Sequence, residues 1–317
     1  MRTTVYFATN RAVTHPGDAK NGYPATLIAP SQPAAITYGV AFVDGVDIAT
    51  NSAGAVSQIP ETQKGQFPDS VIADLSAAGR NLLVFVHGFD NSFSDAITGA
   101  AFDREWLAAS GNPHADTTVI AFSWPSKGQT VSFPILQDDY LTDQNTARNS
   151  GAHLMAFLAN LDPILKAARA SGHRAILLAH SMGNLALEAA VENWFLEGNG
   201  QDVLFDHVIL AAGDCPCNAF DQPNLSGLTG LKLLARRIGI YYSEVDHVLQ
   251  LSMVVNLGAQ RLGQDGPLHR SDSEKFPAAT YEMVDCSKDQ DYDFNLLTSH
   301  LYYRMSPAVR KAIAASI

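Results

Sequence analysis

The sequence predicts an α/β fold: a mostly parallel central sheet, antiparallel strands at its N-terminal edge, and helices on both faces. Three observations predict it. From residue 70 onward, short uninterrupted apolar runs alternate with amphipathic stretches, the pattern of strands buried on both faces and of the helices that cover them. The first two apolar runs have no helical stretch between them, which suits an antiparallel hairpin at the sheet edge. Hydrophobic residues make up 46% of the 317 and charged residues 17%, a composition that can bury a large core and is not that of a disordered chain.

The elements follow in order. TVYFA (4–8) and ITYGVAFV (36–43) are strands, separated by a loop rich in Gly and Pro. Residues 44–68 are polar and also expected as loop. SVIADLSAAGR (70–80) is a helix with Val71, Ile72 and Leu75 on one face. LLVFVHG (82–88) is a buried strand, 94–110 a helix, and TTVIAFSWPS (117–126) a strand ended by Pro125. Leu154, Leu158, Leu161 and Leu165 give helical spacing to 145–172. RAILLAH (174–180) is a strand and 181–195 a helix. HVILAAG (207–213) is a strand; 228–239 is a helix ending in Arg236 and Arg237 and running into a strand at 238–243. Residues 248–263 are helical, 278–286 form the last strand, and 306–317 the last helix, with Ser306 as its cap and Pro307 in its first turn. One domain is expected over 1–317, with 127–144 as a lid-like insertion.

Composition narrows the partners. A formal net charge of −11 argues against nucleic acid and anionic membranes, which favour basic patches. The N-terminus lacks the apolar centre of a secretory signal, and no run of about 18 apolar residues is present, so no integral membrane association is expected. Three cysteines, Cys215, Cys217 and Cys286, suit free thiols in a reducing cytoplasm better than a disulfide framework or a metal site. No cofactor and no metal are expected.

In an open α/β sheet, ligands bind beyond the carboxyl ends of the strands. Those ends carry His87-Gly88-Phe89, Trp124-Pro125-Ser126, Ser181, Asp214, Ser243-Glu244, Asp246, Asp285 and, later, His300. A serine, then aspartates, then a histidine is the chain order of a nucleophile, an acid and a base. A serine on a tight strand-to-helix turn needs small residues two before and two after it, and Ala179 and Gly183 supply them. Such a turn lifts the hydroxyl clear of the sheet. It also puts the Met182 N–H at a helix N-terminus, where it can donate to an oxyanion. A second donor is expected from the Phe89 N–H, with Gly88 allowing close approach. His300 is preferred as base over His247 and His269. Asp246 is preferred as acid, with Asp214 the alternative. His180 is expected to pack behind the turn, and His87 to prop the loop. Substrate contacts are assigned to His87, Gly88, Trp124, Phe133, Leu136 and Tyr140.

Ala8-Thr9-Asn10-Arg11, Tyr38-Gly39, VFVHGF (84–89), FSWPS (122–126), AHSMGN (179–184) and SHLYY (299–303) together resemble the motifs of an uncharacterised bacterial family of alpha/beta-hydrolases. The resemblance spans nearly the whole chain. It departs at AAGDCPC (211–217), where a proline before the aspartate is the usual pattern. It implies an alpha/beta-hydrolase fold, a Ser-Asp-His triad and hydrolysis of an ester-like bond, without naming a substrate. The expected activity is that of a carboxylesterase for small esters with short to medium acyl chains. A lipase, thioesterase, amidase or acyltransferase could use the same residues, and a non-catalytic scaffold could keep the turn for structural reasons.

Overall fold

The computed structural model describes residues 2–77, 79–127 and 136–317, with backbone alone at Leu136 and Gln137. In chain order the elements are β1 (Arg2–Thr9), β2 (Thr37–Asp47), β3 (Ser52–Lys64), α1 (Asp69–Ala77), β4 (Asn81–Val86), α2 (Phe93–Ala108) and β5 (Thr117–Ser123). Then come α3 (Leu136–Asn149), α4 (Gly151–Ala170), β6 (Ala175–His180), α5 (Gly183–Leu196), β7 (Phe205–Ala211), α6 (Leu231–Leu234) and β8 (Ala235–Tyr242). The chain ends with α7 (His247–Val255), α8 (Leu262–Asp265), β9 (Tyr281–Asp285), α9 (Tyr302–Met305) and α10 (Pro307–Ser316).

The strands form one sheet in the order β3-β2-β1-β5-β4-β6-β7-β8-β9. Every pairing from β1 through β9 is parallel, and β2 alone runs against its neighbours. The expected mostly parallel sheet is therefore present, with an addition at its edge. β3 lies within 44–68, expected as loop, and it rather than β2 closes the sheet. It is mostly exposed and contains Pro60, so it shows none of the apolar alternation that marks a half-buried strand.

Alternation along the central strands divides the core. Leu82, Val84, Val86, Ile120, Phe122, Leu177 and Ala179 pack on one face with Leu154, Leu158, Leu185 and Val191 of α4 and α5. Leu83, Phe85, Val119, Ala121, Ile176 and Leu178 pack on the other with Ile97, Ala101 and Trp106 of α2 and Val309 and Ile313 of α10. Register levels the strand ends: Val86 pairs with Phe122 and Ala179, His180 with Ala211, Ala211 with Tyr241, and Tyr242 with Asp285. The loops after β4 to β8 consequently leave from a common edge.

Three further boundaries differ from expectation. Helix begins at Leu136, inside 127–144, and breaks at Ser150 before α4. The helix expected over 228–239 is only α6; Arg236 and Arg237 are exposed residues of β8, paired with Asp206 and Glu282. The helix expected over 248–263 ends at Val255, and residues 256–260 are turn and loop before Arg261 bridges to Pro216 and α8 begins. Among the described residues no helix is long and apolar enough to cross a membrane.

Candidate active site

Ser181 follows β6 directly and has φ +55°, a left-handed conformation that non-glycine residues adopt only when their surroundings enforce it. The surroundings here are hydrogen bonds. The Ser181 N–H donates to Ala211 O at 3.0 Å, and its carbonyl accepts from the N–H groups of Asn184 and Asp214, both at 3.0 Å. The Asn184 amide nitrogen adds donations to Ala179 O (3.0 Å), Ser181 O (3.1 Å) and Ala211 O (3.4 Å). One buried side chain thus ties the turn to β6 and β7. The AHSMGN motif does not by itself give Asn184 a role; a buried amide at the start of an apolar helix is the signal that marks it. At Gly183, a Cβ would lie 2.5 Å from Val86 O and 2.6 Å from His87 O. Only glycine lets α5 start this close to the end of β4.

Asp246 caps α7: its Oδ1 accepts from the Leu249 N–H at 3.0 Å. The other oxygen, Oδ2, accepts from His300 Nδ1 at 2.7 Å. Both residues are buried. A carboxylate opposite Nδ1 fixes the imidazole proton there and leaves Nε2 as the basic nitrogen. Nε2 is buried and has no hydrogen-bond partner among the described residues, the Ser181 hydroxyl included. Burial lowers the affinity of His300 for a proton, but the charge and hydrogen bond of Asp246 outweigh it, and the pKa stands above the ordinary histidine value. His180 packs its ring against His300 at 4.9 Å and faces the His300 carbonyl with Nε2 at 3.1 Å. Burial, first, and the charges of His300 and Arg304 keep His180 neutral. His247 begins α7 and packs on Phe294, and His269 is exposed.

The loop after β4 passes beside the serine. A Cβ on Gly88 would stand 2.6 Å from Ser181 Cβ and 3.1 Å from its Oγ. Among the described residues, neither the Phe89 N–H nor the Met182 N–H donates to a protein acceptor. Met182 precedes the first turn of α5, so its N–H belongs to the positive end of a helix.

The residues assigned to substrate contact divide. Gly88 is beside Ser181. His87 and Trp124 are buried, stacked on each other at 5.1 Å, and hydrogen-bonded, Trp124 Nε1 donating to His87 O at 2.7 Å. They support the loop from behind rather than line an open surface, because every face of each is covered. Tyr140 packs edge-on to Phe89, and its hydroxyl donates to Asp214 at 2.7 Å. Phe133, with the rest of 128–135 in the 127–144 insertion, lies outside the described residues. Leu136 begins α3.

Asp214 belongs to a different network. Its carboxylate accepts from Tyr140 Oη and from Ser252 Oγ, and pairs with the buried Arg261 Nε at 3.1 Å. Cys215, Cys217 and Cys286 are free, and burial pushes the Cys215 thiol well above its usual range. Among the described residues, no group of three or more His, Cys, Asp or Glu side chains is placed to hold a metal ion.

A family model described as an alpha/beta hydrolase of unknown function (DUF900) matches residues 63–316. Among solved structures, a crystal structure of a double mutant of the esterase E40 aligns with 74% of this chain and 74% of its own, at 12% identity and a TM-score of 0.33. No curated protein matches the sequence.

Proposed function

The chain belongs to this alpha/beta-hydrolase family, and on that premise we propose that it is a serine hydrolase, a carboxylesterase acting on short- to medium-chain acyl esters. The observation that carries the proposal is the His300–Asp246 pair at 2.7 Å, present on the same strand edge as a left-handed serine. In the proposed reaction Ser181 Oγ attacks the ester carbonyl and its proton passes to His300 Nε2. Asp246 holds the imidazole in the required tautomer and stabilises the imidazolium, without itself taking the proton. The N–H groups of Phe89 and Met182 donate to the oxyanion. Collapse breaks the ester C–O bond, and the alcohol leaves with the proton from Nε2. Water then attacks the acyl-serine, giving its proton to Nε2, and the carboxylic acid is released as Ser181 regains a proton.

Nε2 and the serine hydroxyl are not hydrogen-bonded to one another in the free protein. Such contacts commonly tighten only when substrate binds.

A fluorophosphonate probe tests the proposal. We expect one covalent adduct, on the peptide containing Ser181, and none on Ser181→Ala. No adduct on the folded wild-type protein would leave a scaffold with a hydrolase fold. A panel of p-nitrophenyl esters of rising chain length, run beside a p-nitroanilide and a thioester, tests the substrate class. Faster cleavage of the anilide or thioester would overturn the ester assignment.

A further inference from the structure

Arg11, the last residue of the motif at the end of β1, has no part in the reaction proposed above, yet its guanidinium is buried beneath the active-site edge at 1% exposure. Nε donates to Ser123 Oγ at 3.1 Å, and Nη2 to Trp124 O at 2.8 Å and Asn91 O at 2.9 Å. Among the described residues no carboxylate pairs with it at ion-pair distance; the nearby charges of Asp143 and Asp95 act from further away. A buried guanidinium held mainly by backbone carbonyls ties loops together rather than neutralising an acid.

The loops it ties are those after β4 and β5. Asn91, whose carbonyl Arg11 holds, turns its amide nitrogen back to Phe89 O at 2.6 Å and Gly88 O at 3.3 Å. His87 Nδ1 also faces Gly88 O, at 2.8 Å, while His87 Nε2 faces Trp124 O at 3.1 Å. Burial and the Arg11 charge hold His87 neutral, down to about 3, so the ring carries one proton for two carbonyls. With Trp124 O already held by Arg11, the Nδ1–H tautomer is the one that places this proton on Gly88 O, beside the Asn91 amide.

Gly88 O belongs to the same planar peptide unit as the Phe89 N–H. In a trans peptide the two point in opposite directions. Donors that hold Gly88 O on one side therefore aim the Phe89 N–H to the other. They also polarise the unit and strengthen that N–H as a donor.

We propose that Arg11 is a positioning residue for the oxyanion site: through Asn91, Trp124 and His87 it fixes the orientation of the Gly88–Phe89 peptide. The proposal rests on the assignment of the Phe89 N–H as an oxyanion donor. The motif at the end of β1 then has a function at the reacting oxygen, although no atom of Arg11 reaches the substrate.

The test uses Arg11→Met, Arg11→Lys and the less buried Asn91→Asp, assayed with p-nitrophenyl butyrate and with phenylboronic acid, which forms an anionic tetrahedral adduct with an active serine. We expect kcat to fall by about 10- to 100-fold in Arg11→Met, approaching the loss from removing one oxyanion donor, with KM changed by less than about threefold. Phenylboronic acid affinity should fall in parallel. Arg11→Lys should not restore either quantity, because one ammonium cannot span three acceptors in a planar fork. If Arg11→Met does not fold, Arg11→Lys carries the test of the guanidinium fork and Asn91→Asp that of the peptide it positions: the new carboxylate would face two carbonyls, and the same parallel loss is expected. Folded variants that keep kcat and boronate affinity within twofold would overturn the proposal. So would a loss of kcat with boronate affinity unchanged. A wild-type protein that neither hydrolyses the ester nor takes up the boronate would instead overturn the esterase assignment, and this one with it.

Discussion

Asp246 accepts a hydrogen bond from His300 Nδ1 at 2.7 Å across 54 residues of sequence, while Asp214, the alternative acid, is paired with Arg261. The two carboxylates are therefore expected to fail in different ways. Asp246→Asn should lower kcat by roughly 10³ to 10⁴, because an amide opposite Nδ1 no longer secures the tautomer that leaves Nε2 basic. Asp214→Asn leaves a buried guanidinium without its counter-charge and should cost about 3 kcal/mol of stability, with kcat per folded molecule nearly retained. Ester turnover and denaturant melts of both variants check this. A loss of turnover confined to Asp214→Asn would reverse the assignment.

The raised pKa of His300 sets opposite trends for activity and stability. Only the neutral imidazole can accept the serine proton, so kcat/KM should fall on the acid side through an apparent pKa above the ordinary value of about 6.5. A histidine whose folded pKa is raised contributes stability that is complete below its unfolded pKa and disappears as pH rises through the folded one. The His300–Asp246 charge pair thus stabilises the fold most where the proposed reaction is slowest. Asp246→Asn should move the kinetic limb to lower pH and remove that stability increment. A pH–rate profile and melting temperatures on either side of neutrality, compared with wild type, measure both.

Two glycines should separate geometry from stability. In Gly88→Ala the new methyl meets the Ser181 side chain, with Cβ atoms at 2.6 Å. Ser181 Cβ is set by the backbone of the turn, so relief must shift the turn itself: the displaced nucleophile should cost about 10² in kcat, with some loss of stability beside it. In Gly183→Ala the methyl meets two carbonyl oxygens of the β4 end, neither of which can yield without moving the strand. The expected cost is about 1–3 kcal/mol from overpacking. Thermal melts and turnover of the two variants, taken together, distinguish them.

What was legible in the sequence was what burial writes into it. The uninterrupted apolar runs of β4, β5, β6, β7 and β8 and the spaced leucines of α4 report two covered faces, and the elements stand close to where those patterns put them. The turn at Ser181 was legible because its neighbours must be small, which Ala179 and Gly183 display. β3 was not, because an edge strand with exposed faces and an internal Pro60 carries no burial pattern. Arg236 and Arg237 looked like a helix end because KLLARR has high helix propensity, yet β7 and β9 recruit those residues into β8. At His87 and Trp124 position at a strand end is legible, but not which way the side chain turns: both are buried behind the loop, His87 in the propping place expected of it. The part played by Arg11 depends on hydrogen bonds to residues 80 and 113 positions away, which no local pattern encodes.

The φ of +55° at Ser181 has an evolutionary consequence. A glycine there would adopt the same backbone without penalty, relieving on the order of 1 kcal/mol. Ser181 therefore sits where the demands of folding and of chemistry diverge. In a population of this chain selected only for heat resistance, with turnover unmonitored, the serine is among the residues that drift would be free to lose.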